Sequence, residues 1–253
     1  MLERVAVDGA DLCCSVHGEG LPVVFLHGFS GNHLSWWQQV PAFEGSYRVL
    51  APDQRGFGLS TDAPDGPGPS AFVDDLDAVL ARVLDDHADR VALVGHSMSG
   101  WTAAAFATRY PDRVAALVLS GSPAGLLPRE RHEAILADVG ELPAPDPLDA
   151  DRSFLSGSIT ELNRHAPPSF DEVHPIVESF ETDPNQLDGV PTLAVAGEFD
   201  PFMPPRAVEA LSDRLGDITT ATVEGAGHSA NFERPDAFNE VVETFLDERA
   251  RFR

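Results

Sequence analysis

The chain contains no lysine. All 17 of its basic residues are arginine, set against 41 acidic residues, for a formal net charge of −24. Nucleic acid is therefore not an expected partner, because phosphate neutralisation needs a basic surface. An anionic membrane surface is not expected on the same ground. Cysteine is nearly absent. The only two, Cys13 and Cys14, are adjacent in a strand-like stretch, where neighbouring side chains point to opposite faces, so no disulfide is expected between them. Long apolar runs are missing as well. Stretches such as Ala115 to Leu119 fall far short of the ~20 residues that span a bilayer. The opening Met1-Leu2-Glu3-Arg4-Val5 has no charged-then-apolar leader, and a cytoplasmic protein is the expectation. The nine histidines include no His-x-His-x-Asp-His or His-Glu-x-x-His spacing, so no metal site is expected. Gly56 and Gly58 lack the third, helix-opening glycine of a dinucleotide site, and no cofactor is implied.

Apolar residues make up 43% of the 253, enough for a substantial core in one large domain. Strand-like and helix-like segments alternate. Val5–Asp8 and Leu12–Val16 predict a hairpin, and Val23–Leu26 a buried strand ending at His27-Gly28. Leu34–Phe43 is helix-like, and Arg48–Ala51 is a strand running into the glycine-rich Asp53–Gly58. Ser70 is the expected N-cap of a helix whose apolar face carries Phe72, Leu76, Val79, Leu80, Val83 and Leu84. Within it, Asp74-Asp75-Leu76-Asp77 is expected to form a solvated face near the helix N-terminus. Arg90–Val94, Val114–Leu119, Thr192–Ala196 and Thr219–Val223 are further strands; Ser97–Arg109, Pro205–Leu215 and Pro235–Arg249 are helices. This alternation predicts an α/β fold, with a mostly parallel central sheet and helices on both faces. From about Ser122 to Asp188 the rhythm breaks. Prolines cluster there, and helical patches occur at Arg129–Val139 and Asp171–Phe180. The expected organisation is a core of residues 1–121 and 189–253, with residues 122–188 inserted as a helical lid.

The most informative stretch is Val91-Ala92-Leu93-Val94-Gly95-His96-Ser97-Met98-Ser99-Gly100. An apolar strand runs into small-His-Ser-Met-small and then a helix. It resembles the nucleophile elbow of the α/β-hydrolase superfamily, where a sharp turn exposes a serine. Glycine is usual at the fifth position of that motif, and this chain has Ser99. The run from His27 to Ser60 (His-Gly-Phe-Ser-Gly-Asn-His-Leu-Ser-Trp-Trp, then Asp-Gln-Arg-Gly-Phe-Gly-Leu-Ser) resembles the esterase and enol-lactonase branches. The resemblance covers nearly the whole chain and implies an α/β-hydrolase fold with Ser97 as nucleophile. It further implies an acid after a later strand and a histidine near the C-terminus. Asp200 fits the acid, with Glu198 as rival, and His228, in Gly225-Ala226-Gly227-His228, fits the base. Phe29, after His27-Gly28, and Met98 are the implied backbone donors of an oxyanion hole. His27 is expected to brace that loop. Asp53, Arg55, Gly56 and Gly58 correspond to a family frame motif, expected as a salt-bridged turn.

The expected activity is hydrolysis of a carboxylic ester or lactone on a small-molecule substrate by a monomer or homodimer. Trp36 and Trp101 are candidate pocket residues, as is Trp37. Alternatives on the same fold are a carbon–carbon bond hydrolase, a cofactor-free perhydrolase and a slow-turnover receptor. The first would need a cationic anchor near the lid, for which Arg129, Arg131 and Arg152 are candidates. The missing lysine and large negative charge point to adaptation to concentrated salt, where screening relieves carboxylate repulsion.

Overall fold

Asp8 and Gly9 both adopt positive φ, +39° and +78°, as a two-residue hairpin turn demands. They join strands β1 (Leu2–Val7) and β2 (Ala10–His17), paired antiparallel. Six further strands follow: β3 (Leu21–Leu26), β4 (Tyr47–Pro52), β5 (Val91–His96), β6 (Val114–Ser120), β7 (Thr192–Gly197) and β8 (Ile218–Val223). The computed structural model describes residues 1–84, 90–145, 147–161, 163 and 167–250. Its sheet has the order β1-β2-β4-β3-β5-β6-β7-β8. β2 runs antiparallel to β4, and every pair from β4 to β8 is parallel. The expected mostly parallel sheet is therefore present.

The helices are α1 (Val40–Phe43), α2 (Phe72–Val83), α3 (Met98–Arg109), α4 (Arg129–Val139), α5 (Ala150–Glu161), α6 (Phe170–Glu178), α7 (Pro205–Glu209), α8 (Ala230–Glu233) and α9 (Pro235–Arg249). Strand alternation divides the core between the two faces of the sheet. Val23 and Phe25 of β3 and Ala92 and Val94 of β5 pack with Phe238, Val242 and Phe245 of α9. Val24, Leu26, Val91 and Leu93 turn the other way, onto Leu76, Val79 and Leu80 of α2 and Ala103 and Phe106 of α3. All these side chains are buried.

Chain order reverses between β3 and β5, which lie side by side although β4 separates them in sequence. The two connections leave in opposite directions there, opening a crevice at the carboxyl ends of the strands. His27–Phe29 and Ser97 sit at those two ends.

Three local expectations are corrected. The stretch Leu34–Phe43 is not one helix: a 3-10 turn at His33–Trp36 is followed by α1. Pro41 has no N–H and fits only the first turn of a helix, so it restarts the helix rather than continuing it. Ser70 does not cap α2; its hydroxyl donates to the Pro67 carbonyl at 2.7 Å, within a 3-10 turn, and Ala71 occupies the cap position. The acidic run of α2 is not wholly solvated. Asp75 is buried and bonds Arg55, while Asp74 and Asp77 pair with Arg109 and Arg113 at the surface.

The segment 122–188 contributes no strand among its described residues and carries α4, α5 and α6. Its residues 146, 162 and 164–166 lie outside the described residues.

Candidate active site

The turn from β5 into α3 holds Ser97 at φ +50°, ψ −116°, a strained conformation for a residue with a side chain. Gly95 makes the turn possible: a Cβ there would stand 2.6 Å from the Ser99 carbonyl. The Ser97 amide is anchored on the Ser120 carbonyl at 2.8 Å. The serine hydroxyl is left at the carboxyl end of the sheet, over the N-terminus of α3.

Asp200 and His228 lie beyond the ends of two parallel strands further along the sheet, in the turns after β7 and β8. His228 Nε2 is 2.9 Å from Ser97 Oγ, and His228 Nδ1 is 3.0 Å from both Asp200 carboxylate oxygens. The three sequence candidates are thus brought into one hydrogen-bonded line, although 131 residues separate Ser97 from His228. Asp200 is fully buried. Burial alone would raise its pKa, but His228 and the Met203 and Phe202 amides, which donate at 3.0 and 2.9 Å, outweigh it and hold the carboxyl below its ordinary value. An ionised Asp200 accepts from Nδ1–H and leaves Nε2 free to take the serine proton. Glu198, the rival carboxylate, is exposed and accepts instead from the Gly225 amide at 2.9 Å. Around the imidazole, the Glu233 carboxylate accepts from the Gly227 and Ser229 amides at 2.6 and 2.9 Å, holding the residues on either side of His228.

The loop after β3 approaches Ser97 closely. A Cβ on Gly28 would come within 3.3 Å of the Ser97 Cβ and 2.7 Å of His96 Nδ1, so the backbone can lie here only as glycine. The amides of Phe29 and Met98 have no hydrogen-bond partner among the described residues. Two uncommitted N–H groups beside a serine hydroxyl, one of them opening a helix, can receive a developing negative charge. His27 is buried, which lowers its pKa and keeps it neutral. It braces the loop as expected: Nδ1 bonds the Gly28 carbonyl at 2.8 Å and Nε2 accepts from the Gln54 amide at 3.0 Å.

A cleft of about 590 Å³ opens beside the serine, between the β3 loop, α5 and α8. Phe29, His96, Leu148, Ile159, Asn231 and Phe232 are among its walls. One pocket expectation is corrected. Trp36 is fully buried in the core against Phe25 and Phe238, at ring distances of 4.9 and 6.5 Å, and never reaches the cleft. Trp101 stands one helical turn after Met98 and therefore shares its face. It packs with Met98, Val173 and Val177 beneath α6. Trp37 is a half-exposed surface residue.

The structure adds residues that the motifs did not single out. His96 Nε2 bonds the His228 carbonyl at 3.1 Å, and burial followed by the neighbouring His228 lowers its pKa to about 4. The Phe202 ring meets His228 edge-on at 4.9 Å, and Phe170 meets Phe29 at 5.3 Å. His96 adjoins Ser97 in sequence, and Phe202 follows Asp200 by two residues; those adjacencies are the available signals. The frame motif also differs in detail from expectation. Arg55 pairs with Asp75 and Asp62, while Asp53 accepts from the His33 and Leu59 amides. No group of three or more metal-ligating side chains occurs among the described residues, nor is any helix there long and apolar enough to cross a membrane.

Comparison with known proteins decides the family, because the profile of the alpha/beta hydrolase family matches residues 23–241. The chain belongs to the alpha/beta hydrolase family. This hydrolase is 32% identical to a 2-hydroxy-6-oxononadienedioate/2-hydroxy-6-oxononatrienedioate hydrolase of Klebsiella pneumoniae, covering 88% of this chain and 86% of that protein. It is 29% identical to a 2-hydroxymuconate semialdehyde hydrolase of Pseudomonas putida, covering 91% and 89%. Among solved structures, a thermophilic esterase from Thermogutta terrifontis superposes with a TM-score of 0.78 at 25% identity, covering 99% of this hydrolase and 100% of that chain.

Proposed function

We propose that the hydrolase cleaves a carboxylic ester or lactone through an acyl-enzyme. The observation that carries this is the unbroken line Ser97 Oγ, His228 Nε2, His228 Nδ1, Asp200. Ser97 Oγ attacks the carbonyl carbon as its proton passes to His228 Nε2. The carbonyl oxygen gains the negative charge and is met by the Phe29 and Met98 amides. Collapse breaks the bond to the leaving oxygen, which takes the proton from His228. Water then enters, gives its proton to His228 and attacks the acyl carbon; the proton returns to Ser97 as the acid departs.

A second reading has a specific observation in its favour. The relatives at about 30% identity are named as hydrolases of 2-hydroxymuconate semialdehyde and of 2-hydroxy-6-oxononadienedioate, the latter a dicarboxylate; the carbon–carbon bond hydrolase alternative takes substrates of this kind. Carbon–carbon cleavage of such substrates uses the same three residues with a cation to hold a carboxylate. The three arginines nearest in sequence to that role are otherwise occupied. Arg129 pairs with Glu133 and Arg131 with Asp213, both at the surface. Arg152 comes closest to the cleft but bonds Asp149 and the Glu233 carbonyl. Among these three described arginines none is left free to hold a carboxylate, which supports an uncharged ester or lactone. We also read the −24 charge without lysine as adaptation to a salt-rich cytoplasm.

A panel of p-nitrophenyl esters, lactones and ring-cleavage diketo acids separates the two. Faster turnover of the neutral substrates is expected. Ser97→Ala should lose about a million-fold in kcat, as nucleophile loss does in another triad hydrolase, together with all fluorophosphonate labelling. Activity of that variant within about tenfold of the parent would remove the assignment, and preference for the diketo acids would favour the second reading.

A further inference from the structure

The elbow motif departs from its usual form at Ser99, where glycine is expected. A glycine there would offer no side chain; this serine is fully buried and makes two hydrogen bonds. Its hydroxyl donates to the main-chain carbonyl of His27 and accepts from Gln54 Nε2 at 2.8 Å. These contacts join two segments that reach the site separately. Ser99 follows Met98 on the first turn of α3. His27 precedes Gly28 and Phe29 at the end of β3.

We propose that Ser99 is a positioning residue for hydrolysis, a clamp that sets the spacing of the two amides, Phe29 N–H and Met98 N–H, facing the reacting carbonyl. The inference rests on the ester or lactone hydrolase assignment above. On one side of the clamp, the Met98 amide is one peptide unit from the Ser99 Cα, in a rigid helical turn. On the other, the direction of the Phe29 amide is governed by the Gly28 carbonyl, since the two groups of one trans peptide point in opposite directions. That carbonyl is held twice, by the Gly31 amide at 3.1 Å and by His27 Nδ1 at 2.8 Å. The His27 tautomer that donates from Nδ1 is required because Nε2 accepts from the Gln54 amide. Gln54 in turn accepts from the Thr102 hydroxyl at 3.3 Å and reaches the His27 carbonyl at 3.3 Å. Ser99, Gln54 and Thr102 therefore form one buried network that fixes the His27–Phe29 backbone against α3. Without the Ser99 hydroxyl, His27 O keeps only the longer Gln54 bond, and the two donors can drift apart. Donor placement matters most when charge is on the oxygen, so the effect belongs to the transition state more than to substrate binding.

The test compares Ser99→Ala and Ser99→Gly with the parent, the glycine variant being the form the motif ordinarily takes. Turnover of p-nitrophenyl butyrate, affinity for phenylboronic acid, affinity for butyrate and thermal melts are measured on each. Displacing donors is expected to cost less than deleting one, about tenfold to a hundredfold in kcat/KM. Boronate affinity, which reads the tetrahedral adduct, should fall by a similar factor, and butyrate affinity should hold within about twofold. The pH profile should drop in height without moving its midpoint, because His228 and Asp200 are untouched. Unchanged kcat/KM in both folded variants, or an equal loss of boronate and butyrate affinity, overturns the clamp and leaves the hydrolase assignment standing. A parent enzyme that neither turns over the ester nor reacts with a fluorophosphonate overturns both.

Discussion

Replacing Asp75 with asparagine should destabilise this hydrolase more than any other single change to its acidic residues outside the active site. The Arg55 side chain is 1% exposed and that of Asp75 7%. The pair is bidentate: Arg55 Nε donates to Asp75 Oδ2 at 2.8 Å and Nη2 to Oδ1 at 2.5 Å. A guanidinium cannot shed its proton, so removing the carboxylate leaves a buried positive charge with only Asp62, at 2.9 Å, to answer it. Breaking a buried pair from one side costs about 3–5 kcal/mol. For a chain of this size a kcal/mol lowers the melting temperature by about 2–4 °C, which gives a fall of about 6–20 °C. Asp74, one residue earlier, is the control. Its pair with Arg109 is 63% and 55% exposed, so Asp74→Asn should cost at most about 1 kcal/mol. Scanning calorimetry at neutral pH measures both. A third variant, Arg55→Met with Asp75→Leu, removes both charges and should recover most of the loss. The reasoning is refuted if Asp75→Asn melts within about 2 °C of the parent, or if the double variant is no better than the single.

Asp200→Asn should keep the fold and lose activity by about ten-thousand-fold, as the wrong histidine tautomer does in a related triad, whereas Glu198→Gln should be mild; the opposite ranking in a p-nitrophenyl ester assay would reassign the acid. Acid should destabilise the protein through His96. Its folded pKa of about 4 lies below the ordinary 6.5, so between those values the unfolded chain takes up a proton that the native state refuses. Stability is then lost as pH falls through that window, by up to about 1.4 kcal/mol per pH unit, and is unaffected by this group above it. Melts at descending pH should show the loss, His96→Gln should flatten it, and a parent melting point constant across the window would contradict it. Raising KCl from about 0.1 M to about 3 M shortens the Debye length from ~10 Å to below ~3 Å and should raise both melting temperature and turnover; a flat or falling response would leave the composition without a salt-related meaning.

The parts of this protein legible in its sequence are those set by neighbours a few residues apart. Alternating strand and helix patterns predicted the mostly parallel sheet, because apolar runs such as Val23–Leu26 and amphipathic stretches such as 72–84 encode their own burial. The strand-to-helix turn at Ser97 was legible because its small flanking residues answer a local steric demand. The positions after β7 and β8 could be nominated for an acid and a base by resemblance. What only the tertiary structure decided were pairings between distant residues. Asp75 reads in sequence as one more solvated carboxylate of an acidic helix, but Arg55, 20 residues away, reaches it in the fold. Trp36 looked available to a pocket until Phe25 and Phe238 closed around it. Ser99 reads in sequence only as a departure from the usual glycine, whereas in the fold the His27 carbonyl, 72 residues earlier, accepts from its hydroxyl. Local pattern records which side chains a segment must bury, but which group answers a buried charge or hydroxyl depends on the strand order that brings remote segments together. Here that order sets β3 against β5, and the His27–Phe29 loop therefore lies against the first turn of α3.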